Sequence, residues 1–242
     1  MSEARPQDSL QPPRPRAEGP LRPCAEGPPR PRTEGEPRPR TEGEPRPRTE
    51  GERTRDTILR AAAALATVNG LDSLSLGHLA AVLGMSKSDL SAYFGSKQEL
   101  QLATVAEAAR IFDEEVMRPA LAAPAGLGQL TAVCEAFFEH LERHTFPGGC
   151  FMASAALEMG ARPGPVKDLI AAFQSQFGDL IRGFAATALA RSELPASEDP
   201  DRLAFELNGI MLAADTNLVV HDDPAVLDLA RQIVHQRLGV GD

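Results

Sequence analysis

From Arg53 onward, apolar residues recur at intervals of three and four, the spacing that places them on one face of an α-helix. The first such face comprises Ile58, Ala61, Ala62 and Leu65. The Asn69-Gly70 pair that follows is typical of a helix end, because glycine readily adopts the left-handed conformation found there. No stretch alternates polar and apolar residues as a half-buried strand does. The pattern predicts an all-α protein of about nine helices.

An eight-residue repeat fills most of the first 52 residues, and its last three copies begin Pro-Arg-Pro-Arg-Thr-Glu-Gly. Leu10 and Leu21 are the only large aliphatic residues there, so the segment buries too little apolar surface to offset the entropy of ordering. We expect residues 1–52 to be a disordered tail, residues 53–98 a small domain and residues 99–242 a larger one. The tail is either an arginine-bearing arm that adds weak affinity for a polyanion or a repeat without a role.

Charge is distributed unevenly along the chain, whose formal net charge is −9. Residues 53–97 carry five Lys and Arg against three Asp, a net charge of +2, whereas residues 98–242 carry a net charge of −11. A polyanion would therefore be attracted to the first folded segment and repelled by the second. The acidity of the whole chain does not exclude a nucleic-acid partner.

Several classes of protein are disfavoured by what the sequence lacks. Its three cysteines, Cys24, Cys134 and Cys150, form no even disulfide framework, and no signal peptide opens the chain, so we expect a cytoplasmic protein. No apolar run approaches the roughly 20 residues that span a bilayer, which predicts no membrane partner. The chain has no phosphate loop, His-Glu-x-x-His or nucleophile elbow, so we expect neither an enzyme, nor a cofactor, nor a bound metal.

Residues 74–100, LSLGHLAAVLGMSKSDLSAYFGSKQEL, contain two short helices separated by a glycine turn. Ser75 caps the first helix, in which Leu79 and Val82 should face inward, and Gly84 supplies the left-handed turn. Ser86 caps the second helix, which buried side chains at Leu90 and Phe94 should hold against the core. This is the arrangement of a helix-turn-helix, whose second helix enters the major groove of DNA.

Residues 53–100 resemble the DNA-binding domain of the TetR (tetracycline-repressor) family of bacterial regulators. The resemblance rests on Arg-Thr-Arg-Asp-Thr-Ile-Leu from Arg53, on Gly70 before Ser75, on Met85-Ser-Lys near the turn, and on Tyr-Phe-Gly-Ser-Lys ending at Lys97. It implies a homodimer whose carboxy-terminal helices form a ligand pocket and the dimer interface. It also implies a repressor that leaves its operator when a small-molecule effector binds.

The resemblance further implies which side chains contact DNA. Ser75, Lys87, Tyr93 and Lys97 would bind phosphates, and Ser88 and Ser91 would reach base edges. Three positions depart from the usual family pattern, namely Asp89, Ser91 and Ala92, and they leave the operator sequence open. Asp89 either accepts from a cytosine amino group or completes a capping box with Ser86.

Helical faces in the carboxy-terminal part predict the dimer interface and the pocket. The interface is assigned to apolar residues of the last two helices, Leu203, Leu207, Ile210, Ala214, Leu218, Leu227, Ala230 and Val234, with an intrachain core as the alternative. The pocket is assigned to Phe137, Phe138, His140, Phe151, Met152, Phe173, Phe177, Met211 and Asn217, with Glu158 and Gln174 as further polar candidates. Each of these is alternatively an ordinary core or surface residue.

The sequence thus predicts a regulator of transcription that binds double-stranded operator DNA as a homodimer and responds to an unidentified small molecule. The signal would pass through the long fourth helix, which begins at Ser96. Two alternatives stay open. One is a dimeric helical interaction protein with impaired DNA binding. The other is a regulator that responds to a metal, through His140, His144 and Cys150, or to thiol oxidation at Cys134 or Cys150.

Overall fold

The computed structural model describes residues 49–241, and within that range the chain forms helices and connecting segments with no strand, as predicted. The α-helices are α1 (Glu50–Asn69), α2 (Leu76–Leu83), α3 (Lys87–Tyr93), α4 (Lys97–Phe112), α5 (Arg118–Ala122), α6 (Leu127–Glu142), α7 (Phe151–Met159), α8 (Pro165–Ala190), α9 (Pro200–His221) and α10 (Ala225–Leu238). A π-helical segment, Asp113–Met117, joins α4 to α5. The predicted boundary between residues 98 and 99 falls inside α4, which contributes to both parts of the fold.

Helix α1 begins earlier than the sequence pattern suggested. Thr49 caps it and forms a reciprocal capping box with Glu52, in which the Thr49 N–H donates to Glu52 Oε2 at 2.7 Å and Thr49 Oγ1 accepts from the Glu52 N–H at 3.3 Å. The last repeat copy therefore supplies a Thr-x-x-Glu helix start. The predicted tail of residues 1–52 includes residues 49–52, which belong to the cap and first turn of α1. The rest of the predicted tail, with Cys24, lies outside the described residues.

The segment from Lys97 to Ala122 is one continuous rod. The backbone stays in the right-handed helical region at Asp113 and at Arg118, where α4, the π-helical segment and α5 meet. Pro119 explains the wider turn, because proline has no N–H to donate and its ring crowds the carbonyl four residues earlier, at Glu115. Counted as one helix, the rod gives nine helices in the part of the chain that the structure describes, as predicted.

The helix-turn-helix contributes buried apolar side chains to the core. Leu79, Leu90 and Phe94 have no exposed surface, as the sequence predicted for all three. Val82, which was expected to face inward, is 52% exposed. The buried face of the short helix α2 is centred on Leu79 and Ala80, and Val82 lies beyond its edge.

The predicted dimer interface is part of the intrachain core. Helix α9 packs against α6, α8 and α10, and seven of the eight predicted interface residues are at most 8% exposed within a single chain: Leu203, Leu207, Ala214, Leu218, Leu227, Ala230 and Val234. Ile210 is half-buried against the same core. Side chains that are already covered by their own chain cannot form the surface that a second copy covers. Seven of these residues therefore belong to the intrachain core, the alternative that the sequence left open, whereas Ile210 stays a predicted interface residue.

Helix α9 is long and apolar enough to cross a membrane, with a mean hydropathy of 1.3 over its most apolar 18 residues, of which 39% are buried in the fold. The expectation that no segment approaches the length of a bilayer span was too strong. A core helix of a folded domain meets the same criterion. Three other helices pack against α9, and a buried carboxylate, Asp215, lies near its middle.

The loop before α7 is hydrogen-bonded to both α1 and α9. The Gly148 N–H donates to Thr67 Oγ1 of α1 at 3.1 Å, and a Cβ atom at Gly148 would lie 2.1 Å from the Thr67 carbonyl oxygen. The Cys150 N–H donates to Asp215 Oδ1 of α9 at 2.8 Å. Burial raises the pKa of the Asp215 carboxyl to about 6, although this hydrogen bond favours its charged form.

Substituting Gly148 tests the close approach of this loop to α1. Gly148→Ala should lower the free energy of unfolding by about 1–3 kcal/mol, because the new methyl group meets a backbone carbonyl that cannot move away easily. Gly183→Ala is the matched control, since Gly183 lies within α8 with open space around its Cα, and alanine there should stabilise by about 0.4–1 kcal/mol. Urea unfolding of both variants measures the difference, and equal stabilities would contradict the packing.

The buried carboxylate of Asp215 should make stability depend on pH. Its pKa is raised above the usual value of 3.8, so between pH 4 and pH 6 the folded chain holds a proton that the unfolded chain releases, and stability falls as pH rises through that window. Asp215→Asn keeps an acceptor oxygen for Cys150 and removes the charge. The variant should gain about 2 kcal/mol more over the wild type at pH 7.5 than at pH 4.5 in urea unfolding. An equal change at both pH values would show that the carboxyl titrates normally.

Candidate functional site

Helix α3 is held on the molecule by two buried side chains and presents its opposite face to solvent. Leu90 and Phe94 are fully buried, and the guanidinium of Arg55 in α1 lies 5.3 Å from the centroid of the Phe94 ring. Ser86 caps the helix by accepting from the Asp89 N–H at 3.1 Å. Gly84, with φ of 65°, makes the left-handed turn between α2 and α3. The predicted helix-turn-helix is therefore present in both its helices and its turn.

The exposed face of α3 carries the residues that the sequence assigned to DNA. Lys87, Ser88, Asp89 and Ser91 are exposed, and Tyr93 is half-buried. Ser91 Oγ donates to the Lys87 carbonyl at 2.8 Å, whereas Lys87 has no ion-pair partner within residues 49–241. A cation without a carboxylate partner at the start of an exposed helix can bind a phosphate without first breaking an ion pair.

Asp89 does not complete the expected capping box. In the described part of the chain its carboxylate accepts no hydrogen bond from the Ser86 N–H, so only the bond from the Asp89 N–H to Ser86 Oγ is formed. Ser86 Oγ also lies 2.8 Å from Ser88 Oγ. Asp89 keeps only the general benefit of a negative charge in the first turn of a helix. Its side chain stands exposed beside Lys87 and Ser88, on the face expected to meet DNA.

The two remaining predicted DNA contacts flank α2 and α3. Ser75 caps α2, and its Oγ accepts from the His78 N–H at 3.2 Å. Lys97 Nζ at the start of α4 donates to the backbone carbonyl of Asp72 and to Asp72 Oδ1, the latter at 3.1 Å. Lys97 and Arg162 both donate to the Asp72 carboxylate and hold its pKa below the usual value. A phosphate would therefore compete with Asp72 for Lys97.

A cavity of about 100 Å³ lies between α4, α6, α7, α8 and α9. Five of the predicted pocket residues line it, Phe137, Met152, Phe173, Phe177 and Met211, and so does the polar candidate Gln174. The sequence did not identify the other lining residues, which are Phe112, Cys150, Ala153, Ala156, Leu157, Asn208 and Leu212. The ring of Phe112 meets those of Phe173 and Phe177 edge-on, with centroids 5.2 and 5.3 Å apart.

Four predicted pocket residues do not line this cavity. Phe138 is fully buried against Arg231, and Phe151 packs against Phe146. His140 Nδ1 lies 2.6 Å from Glu115 Oε2, and the exposed Asn217 donates to the Ala213 carbonyl at 2.8 Å. Helical periodicity indicates which side chains are buried, but it does not distinguish a side chain beside a void from one in a packed layer.

The polar candidate Glu158 also lies away from the cavity. Its carboxylate accepts from the backbone N–H groups of Leu71 and Asp72, which belong to the loop between α1 and α2. Its place on α7 was predicted to face a ligand, whereas its partner is the DNA-binding part of the chain. No sequence signal for this contact exists, because 86 and 87 residues separate the partners.

The lining of the cavity is apolar, with two amides and one thiol as its polar groups. Gln174 Nε2 donates to the Met152 carbonyl at 3.3 Å, and Asn208 is half-buried. Burial raises the pKa of the Cys150 thiol, and likewise that of Cys134, to about 12, so both thiols are neutral. No lining side chain is charged, which favours a ligand with a neutral, apolar body.

The alternative of a metal site finds no geometric support in the described part of the chain. Within residues 49–241 no three His, Cys, Asp or Glu side chains converge as a metal site requires. His140 is engaged with Glu115, and Cys150 lies at the cavity with its neutral thiol.

Residues 58–104 match the model of the bacterial regulatory proteins of the tetR family, and residues 126–234 match the model of the tetracyclin repressor-like C-terminal domain. The chain is 29% identical over 157 residues to the transcriptional regulator AcuR of Cereibacter sphaeroides, an alignment that covers 61% of this chain and 68% of that protein.

Solved structures share the fold. A TetR transcriptional regulator from Chloroflexus aurantiacus superposes with a TM-score of 0.72 at 24% identity, covering 78% of this chain and 96% of that one. AibR, solved in complex with isovaleryl coenzyme A and operator DNA, superposes with a TM-score of 0.61 at 21% identity, covering 75% of this chain and 97% of that one. Because both its helix-turn-helix and its carboxy-terminal helices match models of one family, this chain belongs to the TetR family of transcriptional regulators.

Proposed function

We propose that this chain is a homodimeric repressor that binds operator DNA through α2 and α3 and leaves it when a small apolar effector occupies the cavity. The observation that carries the proposal is the exposed polar face of α3, which is held in place by Leu90 and Phe94 and begins with Lys87, a cation that has no ion-pair partner within residues 49–241. In this proposal Ser75, Lys87, Tyr93 and Lys97 bind phosphates, and Ser88, Asp89 and Ser91 face the bases.

Charge supports this orientation on the duplex. The segment that contains α2 and α3 is net basic, whereas residues 98–242 carry a net charge of −11. Phosphates attract the first and repel the second, so only one end of the molecule approaches DNA closely. A protein that binds operator DNA in a bacterium acts in the cytoplasm, where we place it.

The dimer is assigned to a face of α9 that a single chain leaves uncovered. Phe205 is 81% exposed and Val220 is 67% exposed, and between them Gly209, Leu212 and Thr216 are exposed at intervals of three and four residues. On α10, Leu229 and Ile233 are 55% and 41% exposed. An apolar stripe of this length on a folded chain is typical of an interface. Two helix-turn-helices in one dimer supply the affinity that a single one lacks.

The effector is assigned to the cavity because its lining joins apolar walls to two amide groups. Aromatic rings of Phe137, Phe173 and Phe177 would enclose an apolar body, and the amides of Gln174 and Asn208 would orient a polar atom of the ligand. The structure of AibR with an acyl coenzyme A and DNA indicates that this fold accommodates a ligand and a duplex. A thermal-shift screen of neutral apolar compounds would identify candidates, since bound ligand stabilises the folded state.

Removing the charge of Lys87 tests the DNA contact. Lys87→Gln should weaken binding to the duplex that flanks the protein's own gene, and it should lower the slope of log K against log salt by about 1, because one phosphate contact is lost. Arg118→Gln is the matched control, since Arg118 is an exposed cation at the far end of the rod, roughly 30 Å from its start at Lys97. Gel shifts at several salt concentrations measure both slopes. No binding by the wild type would favour the interaction-protein alternative.

A charge on the exposed stripe of α9 tests the dimer. Phe205→Glu should produce a monomer in light scattering, because it would bury a carboxylate within the apolar contact. Leu121→Glu, at another exposed leucine that is 52% accessible on α5, should stay dimeric. A dimeric Phe205→Glu variant would place the interface elsewhere.

A further inference from the structure

The carboxylate of Glu158 bridges the two functional parts of the molecule. Glu158 Oε2 accepts from the Leu71 N–H at 2.6 Å, and Oε1 accepts from the Asp72 N–H at 2.9 Å. Two charge-assisted bonds from one carboxylate fix both distance and orientation. Gly70 makes room for them, because a Cβ atom there would lie 2.9 Å from Glu158 Oε1. The loop between α1 and α2 is thus attached to α7.

The same loop is attached on its other side to α4. Gln101 Nε2 donates to the Leu71 carbonyl at 3.0 Å in a buried contact, and Lys97 donates to Asp72. Arg162, just beyond α7, adds an ion pair to Asp72 Oδ2 at 2.6 Å. Helix α2 begins only a few residues after this loop, at Ser75. Its position therefore depends on attachments from α4 and α7 together.

Helix α7 also forms one wall of the cavity. Met152, Ala153 and Ala156 line it, and Glu158 follows within the next turn of the same helix. Nine residues of helix extend about 13 Å and move as one body. A ligand that pushes Ala153 and Ala156 outward would therefore displace the Glu158 carboxylate as well.

We propose that α7 carries the effector signal, with Glu158 as a positioning residue that holds the α1–α2 loop in its DNA-binding position only while the cavity is empty. This inference rests on the proposed function and concerns its regulation. It differs from transmission through α4 alone, because the bonds that break are those of Glu158 to Leu71 and Asp72. Once this loop is released, the start of α2 can move. The positions of α2 and α3 on the duplex are then no longer held.

A double-mutant cycle between the far wall of the cavity and Glu158 tests the route. Asn208→Phe fills the cavity from α9 without touching the contacts of Glu158, and it should weaken duplex binding about tenfold in the wild-type background. In a Glu158→Gln background the same substitution should change the affinity less than twofold, because the connection is already loosened. Glu139→Gln, which removes a carboxylate from an exposed pair on α6, is the control and should leave the effect of Asn208→Phe at tenfold.

Amide exchange supplies a second measurement that does not require DNA. Asn208→Phe and Glu158→Gln should each speed exchange at Leu71 and Asp72, and combining them should add nothing further. The inference is overturned if Asn208→Phe weakens DNA binding equally in both backgrounds, or if it leaves exchange at Leu71 and Asp72 unchanged. A wild type that binds no duplex would instead refute the proposed function, while the exchange comparison would still decide the role of Glu158.

Discussion

The burial of one face of the rod from Lys97 to Ala122 underlies the whole arrangement. Leu100 in its first turns is fully buried and α4 packs against α1, whereas Phe112 and Val116 in its later turns are buried among the helices that surround the cavity. Apolar surface is removed from water along the full length of the rod, so neither part of the core is complete without it. The core is consequently continuous from α1 to α10, and a change in one part strains the other.

A second connection between the helix-turn-helix and the helices around the cavity is made by polar contacts. Buried apolar surface dominates the contribution of α4, whereas the carboxylate of Glu158 on α7 and the ion pair of Arg162, just beyond α7, with Asp72 form the second connection. Apolar contact tolerates small sliding movements, whereas a pair of short hydrogen bonds is lost with a small displacement. The rod therefore provides the stable axis of the molecule, and α7 provides the attachment that a ligand can most readily change.

The walls of the cavity are uncharged, and a buried carboxylate on α9 lies near it, outside the lining. One neutral thiol, two amides and several aromatic rings line the space, and Asp215 stands outside the lining, where it accepts a hydrogen bond from the Cys150 N–H. Burial that raises the thiol pKa values to about 12 leaves almost no reactive thiolate at neutral pH, which argues against the thiol-responsive alternative.

The sequence by itself determined the helices, their caps and the helix-turn-helix, because these depend on neighbours within a turn. Ser75, Gly84 and Ser86 specify their local conformations whatever surrounds them. Even the early start of α1 was readable in the Thr49–Glu52 spacing.

Only the tertiary structure decided which apolar faces meet within the chain and which stay exposed. Helical periodicity marked the stripe of Leu203 on α9, and packing against α6, α8 and α10 buries that stripe. The stripe of Phe205, which the sequence pattern did not single out, stays exposed. The cavity and the contacts of Glu158 could not be predicted from the sequence either, since each joins segments that lie far apart along the chain. Their geometry arises from how whole helices fit together, and no local pattern records that.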